Sequence, residues 1–357
     1  MRGKKRPVKA APVSGVRRFF VTILSAAATF VVILMLAALW ALWSYNGPGP
    51  KARSGEVTNV ILRRGAGLPE IASTLERAGV VRSASVFVAA AQITGAARGL
   101  KAGEYEFPNR ASASAILAKI VSGKVVRHQV TIAEGITSDM AVEILTANPV
   151  LSGEAPTPPE GAILPETYDV QRGEDRAAVL RRMMDARDKL LNDLWAKRQE
   201  GLPFTSPEQA VILASIVEKE TGLAAERPRI AAVFLNRLAK GMRLESDPTI
   251  IYGLTRGRPL GRGIRLSELN GETPYNTYRI DGMPPTPIAN PGRAAIAAVL
   301  DPPKSDDLFF VADGTGGHVF ASTFEQHKAN VAKWRAVERN RAQAAVTDAA
   351  AATSPAP

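Results

Sequence analysis

The sequence predicts an α+β protein: a single N-terminal transmembrane helix, a small α/β module, and then a larger α+β domain. Three observations predict it. Residues 19–45 contain no charged side chain. Residues 56–132 alternate short strand-like and helix-like segments. Residues 206–220 form an apolar stretch with helix signals at both ends, and a proline-rich run follows further on.

The chain has 357 residues and a formal net charge of +11. That charge is unevenly placed. Arg2, Lys4, Lys5, Arg6, Lys9, Arg17 and Arg18 crowd the first eighteen residues with no acid among them. The excess is thus largely a basic tail, which argues against a nucleic-acid partner. With no cysteine, disulfides, thiolate catalysis and Cys-ligated zinc are excluded. His128, His318 and His327 are the only histidines and none sits in a zinc-binding spacing.

Residues 19–45 exceed the ~20 apolar residues that span a bilayer. They are too long for a signal-peptide core, and WSYNG is a poor cleavage site. Trp40, Trp43 and Tyr45 suit an interfacial aromatic belt. The basic tail 1–18 places the N-terminus in the cytoplasm by the positive-inside rule, against only Lys51 and Arg53 beyond the span. Everything later lies outside; in a Gram-negative bacterium that is the periplasm, with the anchor in the inner membrane.

Residues 46–55, NGPGPKARSG, read as a linker. A module over 56–132 follows. Its expected elements are a strand at 57–62, a helix at 68–78 with Ile71 and Leu75 on one face, and a second helix capped by Ser83 or Ser85. A strand at 103–107, a helix from Ser112 to Gly123 and a strand at 125–132 complete it. The prolines at 156–159 and Pro165 mark a join. Residues 176–199 predict a long helix with Leu180, Met183, Met184, Leu190, Leu191 and Leu194 available for packing. The domain over 133–338 is expected to carry chemistry, and 339–357 reads as a frayed, disordered Ala/Pro-rich tail.

In 206–220, SPEQAVILASIVEKE, Ser206 suits an N-cap, Pro207 the first turn, and Gln209 a capping box. The middle is apolar on all sides and so predicts burial on all sides. Glu218 shares a face with Val211, Ala214 and Ser215, while Glu220 points nearly the other way. A carboxyl group against apolar surface tends to stay protonated, as a general acid for glycosidic cleavage requires. A solvated helix end paired with a cation is the plain alternative.

ASIVEKE, VFLNRLAKGMRLESDPTIIYG, PYNTYRIDGMPPTPIANPG and FFVADGTGGHVFASTFEQH occur in this order. Together with LKAGEYEF, VTIAEGIT and ILPETYDV they resemble the endolytic murein transglycosylase, or YceG-like, family across nearly the whole chain. The resemblance implies a membrane anchor, a LysM-like module over 56–132 and a YceG-like catalytic domain over 133–338, with the active glutamate in a groove between them. It implies cleavage of the MurNAc–GlcNAc bond within peptidoglycan strands, leaving 1,6-anhydroMurNAc ends and terminating nascent strands. It matches the catalytic glutamate to Glu218. One carboxyl group suffices, because the sugar's own 6-hydroxyl attacks the anomeric carbon and no metal or cofactor is needed. Peptidoglycan synthases and division or elongation proteins are the implied neighbours. A peptidoglycan-binding scaffold with little catalysis is the competing function, and a two-carboxylate hydrolase pairing Glu218 with Asp247 or Glu220 is a third.

Candidate substrate contacts are Asn236 and Arg237, which could equally brace a loop, and Asp247, which could equally cap a helix. Tyr252, Tyr275 and Tyr278 could stack on sugars or fill the core. Asn276 and Thr277 suit a substrate-lining loop, and Asn290 belongs to the MPPTPIANP run expected as a rigid groove wall. His318 and His327 read as structural. Glu245 and Thr286 depart from the family's usual Gln and Gly.

Overall fold

The computed structural model describes residues 15–53 and 55–352, and they separate into two compact units that divide after Arg127. The basic tail expected at 1–18 lies mostly outside the described residues.

The first unit opens with helix α1, Gly15–Asn46. Its 30 residues from Arg17 to Asn46 are long and apolar enough to cross a membrane, with a mean hydropathy of 2.6 in the best window and no part of that window buried. Strand β1 (Val57–Leu62) pairs antiparallel with β2 (Gly103–Pro108), in register from Val57 opposite Pro108 to Leu62 opposite Gly103. Helices α2 (Leu68–Arg77) and α3 (Ala84–Ile93) lie between them in the chain, and α4 (Ala113–Ser122) follows. Alternation along β1 buries Val60 and Leu62, while the helical period buries Ile71, Ala72 and Leu75 of α2. These meet Phe87, Tyr105, Phe107 and Ile116 in one core. Ser83 caps α3 and Ser112 caps α4, each accepting a backbone N–H of the first turn, and Gly123 ends α4 at φ +72°.

The strand expected at 125–132 does not close this unit. As β3 (His128–Thr131) it pairs antiparallel with β4 (Thr167–Val170), so the boundary falls at 127 rather than 132. The second unit continues with α5 (Ser138–Ala147), α6 (Arg176–Trp195), α7 (Pro207–Glu220), α8 (Arg227–Ala239), α9 (Asp247–Thr255) and the short α10 (Leu266–Leu269). Helix α11 (Arg293–Leu300), the hairpin β5 (Phe309–Ala312) with β6 (His318–Ala321), and α12 (Phe324–Ala352) complete it. Helix α12 runs past Glu338 to Ala352, and residues 353–357 of the tail expected there lie outside the described residues.

The second unit has two cores, and the proline-rich 156–165 passes between them. Ile163 belongs to the core of β3, β4 and α5; Leu164 belongs to that of α7, α8 and α11. Helix α6 serves both, with Val179, Leu180 and Met183 in the first and Leu190 and Leu191 in the second. Helix α7 is the centre of the larger core: Ala210, Val211 and all residues from Leu213 to Glu218 are buried. Full burial of side chains such as Leu213, Ile216 and Val217 contributes on the order of 1.5–3 kcal/mol each. The capping box does not form. Ser206 makes no side-chain cap, and Gln209 Oε1 instead accepts the backbone N–H of Thr205 at 2.7 Å.

Candidate active site

The last turn of α7 carries Glu218 and Glu220 on different sides of the helix, and the two meet different surroundings. Glu218 is enclosed. Arg227 Nη2 donates to its Oε1 at 2.8 Å and the Gly292 N–H donates to its Oε2 at 2.9 Å. Its side chain is 3% exposed. The same Arg227 nitrogen reaches Glu134 Oε2 at 3.2 Å. A Cβ at Gly292 would lie 1.8 Å from Glu134 Oε1, so a larger residue there requires the Glu134 side chain to move. Burial pushes the Glu218 carboxyl up, as expected for a group against apolar surface, although the Gly292 N–H and Arg227 pull the other way.

Glu220 lines a cavity of about 430 Å³, shared with Arg237, Leu244, Glu245, Asp247, Tyr278, Phe310, Val311 and His327. Burial pushes its carboxyl up to about 7; the Ser246 hydroxyl, which donates to Oε1, opposes this and neighbouring Asp247 adds to it. Its place at the negative C-terminal end of the helix dipole disfavours ionisation further. The carboxyl group that reaches open space near neutral pKa is therefore Glu220. Glu218, by contrast, has both oxygens held by protein donors and does not line this cavity.

The surroundings of Glu220 are fixed from several elements. Thr277 Oγ1 accepts the Ser246 N–H at 2.9 Å and bonds Thr249 Oγ1 at 2.9 Å, which orients the serine that holds Glu220. Tyr278 OH donates to Asp247 Oδ1 at 2.7 Å, and burial followed by that carboxylate raises the phenol. Arg237 is buried among the carbonyls of Arg243, Leu244 and Leu308 and contacts Glu245 Oε2 at 3.1 Å. Glu245 adopts φ +53°, a conformation that non-glycine residues seldom take. His318 binds Glu226 through both its backbone N–H and Nδ1, at 2.8 Å each, and Thr221 Oγ1 donates to the same Glu226 carboxylate. That clamp fixes the chain immediately after Glu220.

Of the other expected contacts, Arg237, Asp247 and Tyr278 line the cavity and several do not. Asn236 donates to the carbonyls of Ser305 and Asp307 and braces that loop. Asn276 is fully buried, donating to Leu269 and Gly271 carbonyls and accepting from the Tyr278 N–H. Asn290 is fully buried; Ile163 N–H donates to it, and it donates to Ile136 O, Ser138 Oγ and Glu160 Oε1. Thr277 acts through Ser246. Tyr252 is buried with its hydroxyl on Glu160, and Tyr275 packs edge-on against it at 4.9 Å. The polar atoms of Asn236, Asn276 and Asn290 already serve backbone groups that no helix or strand satisfies. Glu220 entered the expectation only as the second carboxylate of a two-carboxylate hydrolase, and Ser246 did not enter it.

Fold and site together define an α+β protein in which a buried carboxyl group, Glu220, lines a cavity of mixed polar and apolar side chains. The YceG-like family model matches residues 60–333, and the chain belongs to that family. A Bacillus subtilis protein named endolytic murein transglycosylase is 28% identical over 307 residues, which cover 77% of this chain and 84% of that protein. A Streptococcus pneumoniae protein of the same name is 30% identical over 332 residues, covering 79% of this chain; the match spans 59% of the longer pneumococcal protein. A crystal structure of a YceG-like protein from Listeria monocytogenes aligns with 29% identity and a TM-score of 0.49, covering 77% of this chain and 99% of that one.

Proposed function

We propose that this chain is a membrane-anchored lytic transglycosylase that cuts the MurNAc–GlcNAc bond inside peptidoglycan strands, with Glu220 moving the proton. The observation that carries the reading is the Glu220 carboxyl group, pushed up to about 7 by burial and lining a cavity of about 430 Å³, within the size range of ligand sites. The names of the relatives give the substrate class.

In this mechanism the protonated Glu220 donates to the glycosidic oxygen as the bond from MurNAc C1 breaks. Positive charge develops at C1. The 6-hydroxyl of the same MurNAc attacks C1, and the Glu220 carboxylate takes the hydroxyl proton. The products are a GlcNAc 4-hydroxyl end and a 1,6-anhydroMurNAc end, and Glu220 is again protonated. A group that must serve as acid and then as base works best with a pKa near the working pH. Arg237, Asp247 and Tyr278 are the proposed substrate contacts within the cavity.

The remaining parts of the reading follow from the first unit. Helix α1 serves as the single-pass anchor of the inner membrane, with the rest of the chain in the periplasm. The β1–α2–α3–β2 unit serves as a LysM-like glycan-holding module. Cutting close to the membrane would set strand length beside peptidoglycan synthases, and unchanged glycan lengths in a deletion strain would count against that role.

The test is mass analysis of fragments released from purified sacculi by the full-length chain in detergent. Wild type and Glu218→Gln should release anhydro-ended fragments, while Glu220→Gln releases none. Products one water heavier would make the enzyme a hydrolase with Asp247 as the second carboxylate. An active Glu220→Gln would overturn the assignment.

A further inference from the structure

Residues 46–53 do not behave as a free linker. Tyr45, at the end of α1, is partly buried against the core of the first unit. Arg82 stacks its guanidinium over the Trp43 ring, 5.1 Å from the centroid, and donates to the Pro48 carbonyl at 2.9 Å. The Gly49 N–H donates to the Arg110 carbonyl at 3.0 Å, and the Ala52 N–H donates to Asn109 Oδ1 at 2.8 Å. Arg53 lies along Gly79, where a Cβ would come 3.5 Å from its Nε. The anchor thus runs directly into the folded unit, and the turns at 79–82 and 109–111 sit at its exit.

Four exposed cations gather at that exit: Lys51, Arg53, Arg82 and Arg110. None forms an ion pair with a carboxylate among the described residues. Depth follows from the anchor. About 20 helical residues cross the ~30 Å hydrocarbon layer. Counted from Phe19, they end close to Trp40, so Trp43 falls in the interfacial belt. Arg82, stacked on Trp43, is then at the same depth. The chemical group that occurs there in quantity and matches four unpaired cations is the lipid phosphate.

We propose that Lys51, Arg53, Arg82 and Arg110 form a collar that binds the headgroups of anionic phospholipids, seating the first unit on the outer surface of the bilayer. This rests on the reading of α1 as a membrane anchor, but not on the catalytic assignment. Cations at an anionic surface each strengthen attraction by roughly fivefold, and the effect falls with salt.

The test uses the full-length chain reconstituted in phosphatidylcholine vesicles containing trace spin-labelled phosphatidylglycerol or spin-labelled phosphatidylcholine. The ratio of motionally restricted label gives the lipid preference. The N-terminal basic tail contributes equally to every variant, so the differences report the collar. Combined Lys51→Gln, Arg53→Gln, Arg82→Gln and Arg110→Gln should lower the phosphatidylglycerol preference at least fivefold. Combined Arg53→Lys, Arg82→Lys and Arg110→Lys, which keeps the charges, should retain it. An unchanged preference in the glutamine variant overturns the proposal, as does equal loss in the lysine variant, which would assign the effect to packing. Extraction of the wild-type chain by alkaline carbonate would instead overturn the anchor reading beneath it.

Discussion

The two sides of the last turn of α7 make the most informative comparison in the molecule. On one side Glu218 meets Arg227, Glu134 and the N-terminus of α11; on the other Glu220 meets Ser246 and a cavity. Burial raises both carboxyl groups. The difference lies in who occupies the oxygens. A carboxylate whose two oxygens accept protein donors holds α7, α8 and α11 together. A carboxyl group facing open space can exchange its proton with a ligand. A raised pKa therefore marks both a structural and a chemical glutamate, and only the partner geometry separates them.

The largest effect that could break this comparison is the loss of product. Glu220→Gln should lower turnover by roughly 100- to 10,000-fold, the range for removal of a general acid–base group. Circular dichroism and thermal unfolding should show an intact fold. Glu218→Gln, assayed in parallel at a temperature where it stays folded, should keep the wild-type pH profile.

Next is stability on the enclosed side. Arg227→Met removes the cation from a buried carboxylate and should destabilise the protein by about 3–5 kcal/mol, read from urea unfolding. The loss should diminish in acid, where Glu218 takes up a proton and no longer needs its partner. A loss below ~1 kcal/mol at neutral pH would show that Glu218 is not held as described.

Much of the fold was legible in the sequence because its signals are local. The start of α6 at Arg176, the Ser83 and Ser112 caps and the burial of α7 on all sides each follow from period and capping over a few residues. What was not legible depends on distant partners. β3 belongs to the second unit because β4 pairs with it, nearly forty residues on. Asn290 reads as a loop polar residue until Ile136, Glu160 and Ile163 arrive around it. The motif resemblance points to VEKE, but the different surroundings of its two glutamates are set by Arg227, Gly292 and Ser246, none of them on α7.

A smaller effect sharpens the open side through linkage. Burial pushes the folded-state carboxyl of Glu220 up to about 7, above the 4.5 of an ordinary glutamate. Between those values the folded chain holds a proton that the unfolded chain has released, so wild-type stability falls as pH rises through this window. Glu220→Gln removes that dependence. Its advantage over wild type should be near zero below pH ~4.5, grow through the window and level off above 7, at on the order of 1–3 kcal/mol. Urea midpoints at pH 4.5 and 8 measure it, and an equal difference at both pH values would mean that Glu220 ionises normally.

The smallest effect concerns Ser246, which donates to Glu220 and in turn is held by Thr277. A donor to a carboxylate favours the ionised form, so its removal should raise the pKa of Glu220 further. In the proposed mechanism the cycle starts with Glu220 protonated, so activity falls on the alkaline side as that proton is lost. Ser246→Ala should therefore shift the alkaline limb of kcat/KM upward by roughly 0.5–1 pH unit, the equivalent of one hydrogen bond. The same substitution made at Thr277 leaves the hydroxyl of Ser246 in place and should move that limb less. A limb that moves downward in Ser246→Ala, or that does not move while kcat falls, would mean that Ser246 shapes the cavity without tuning the acid.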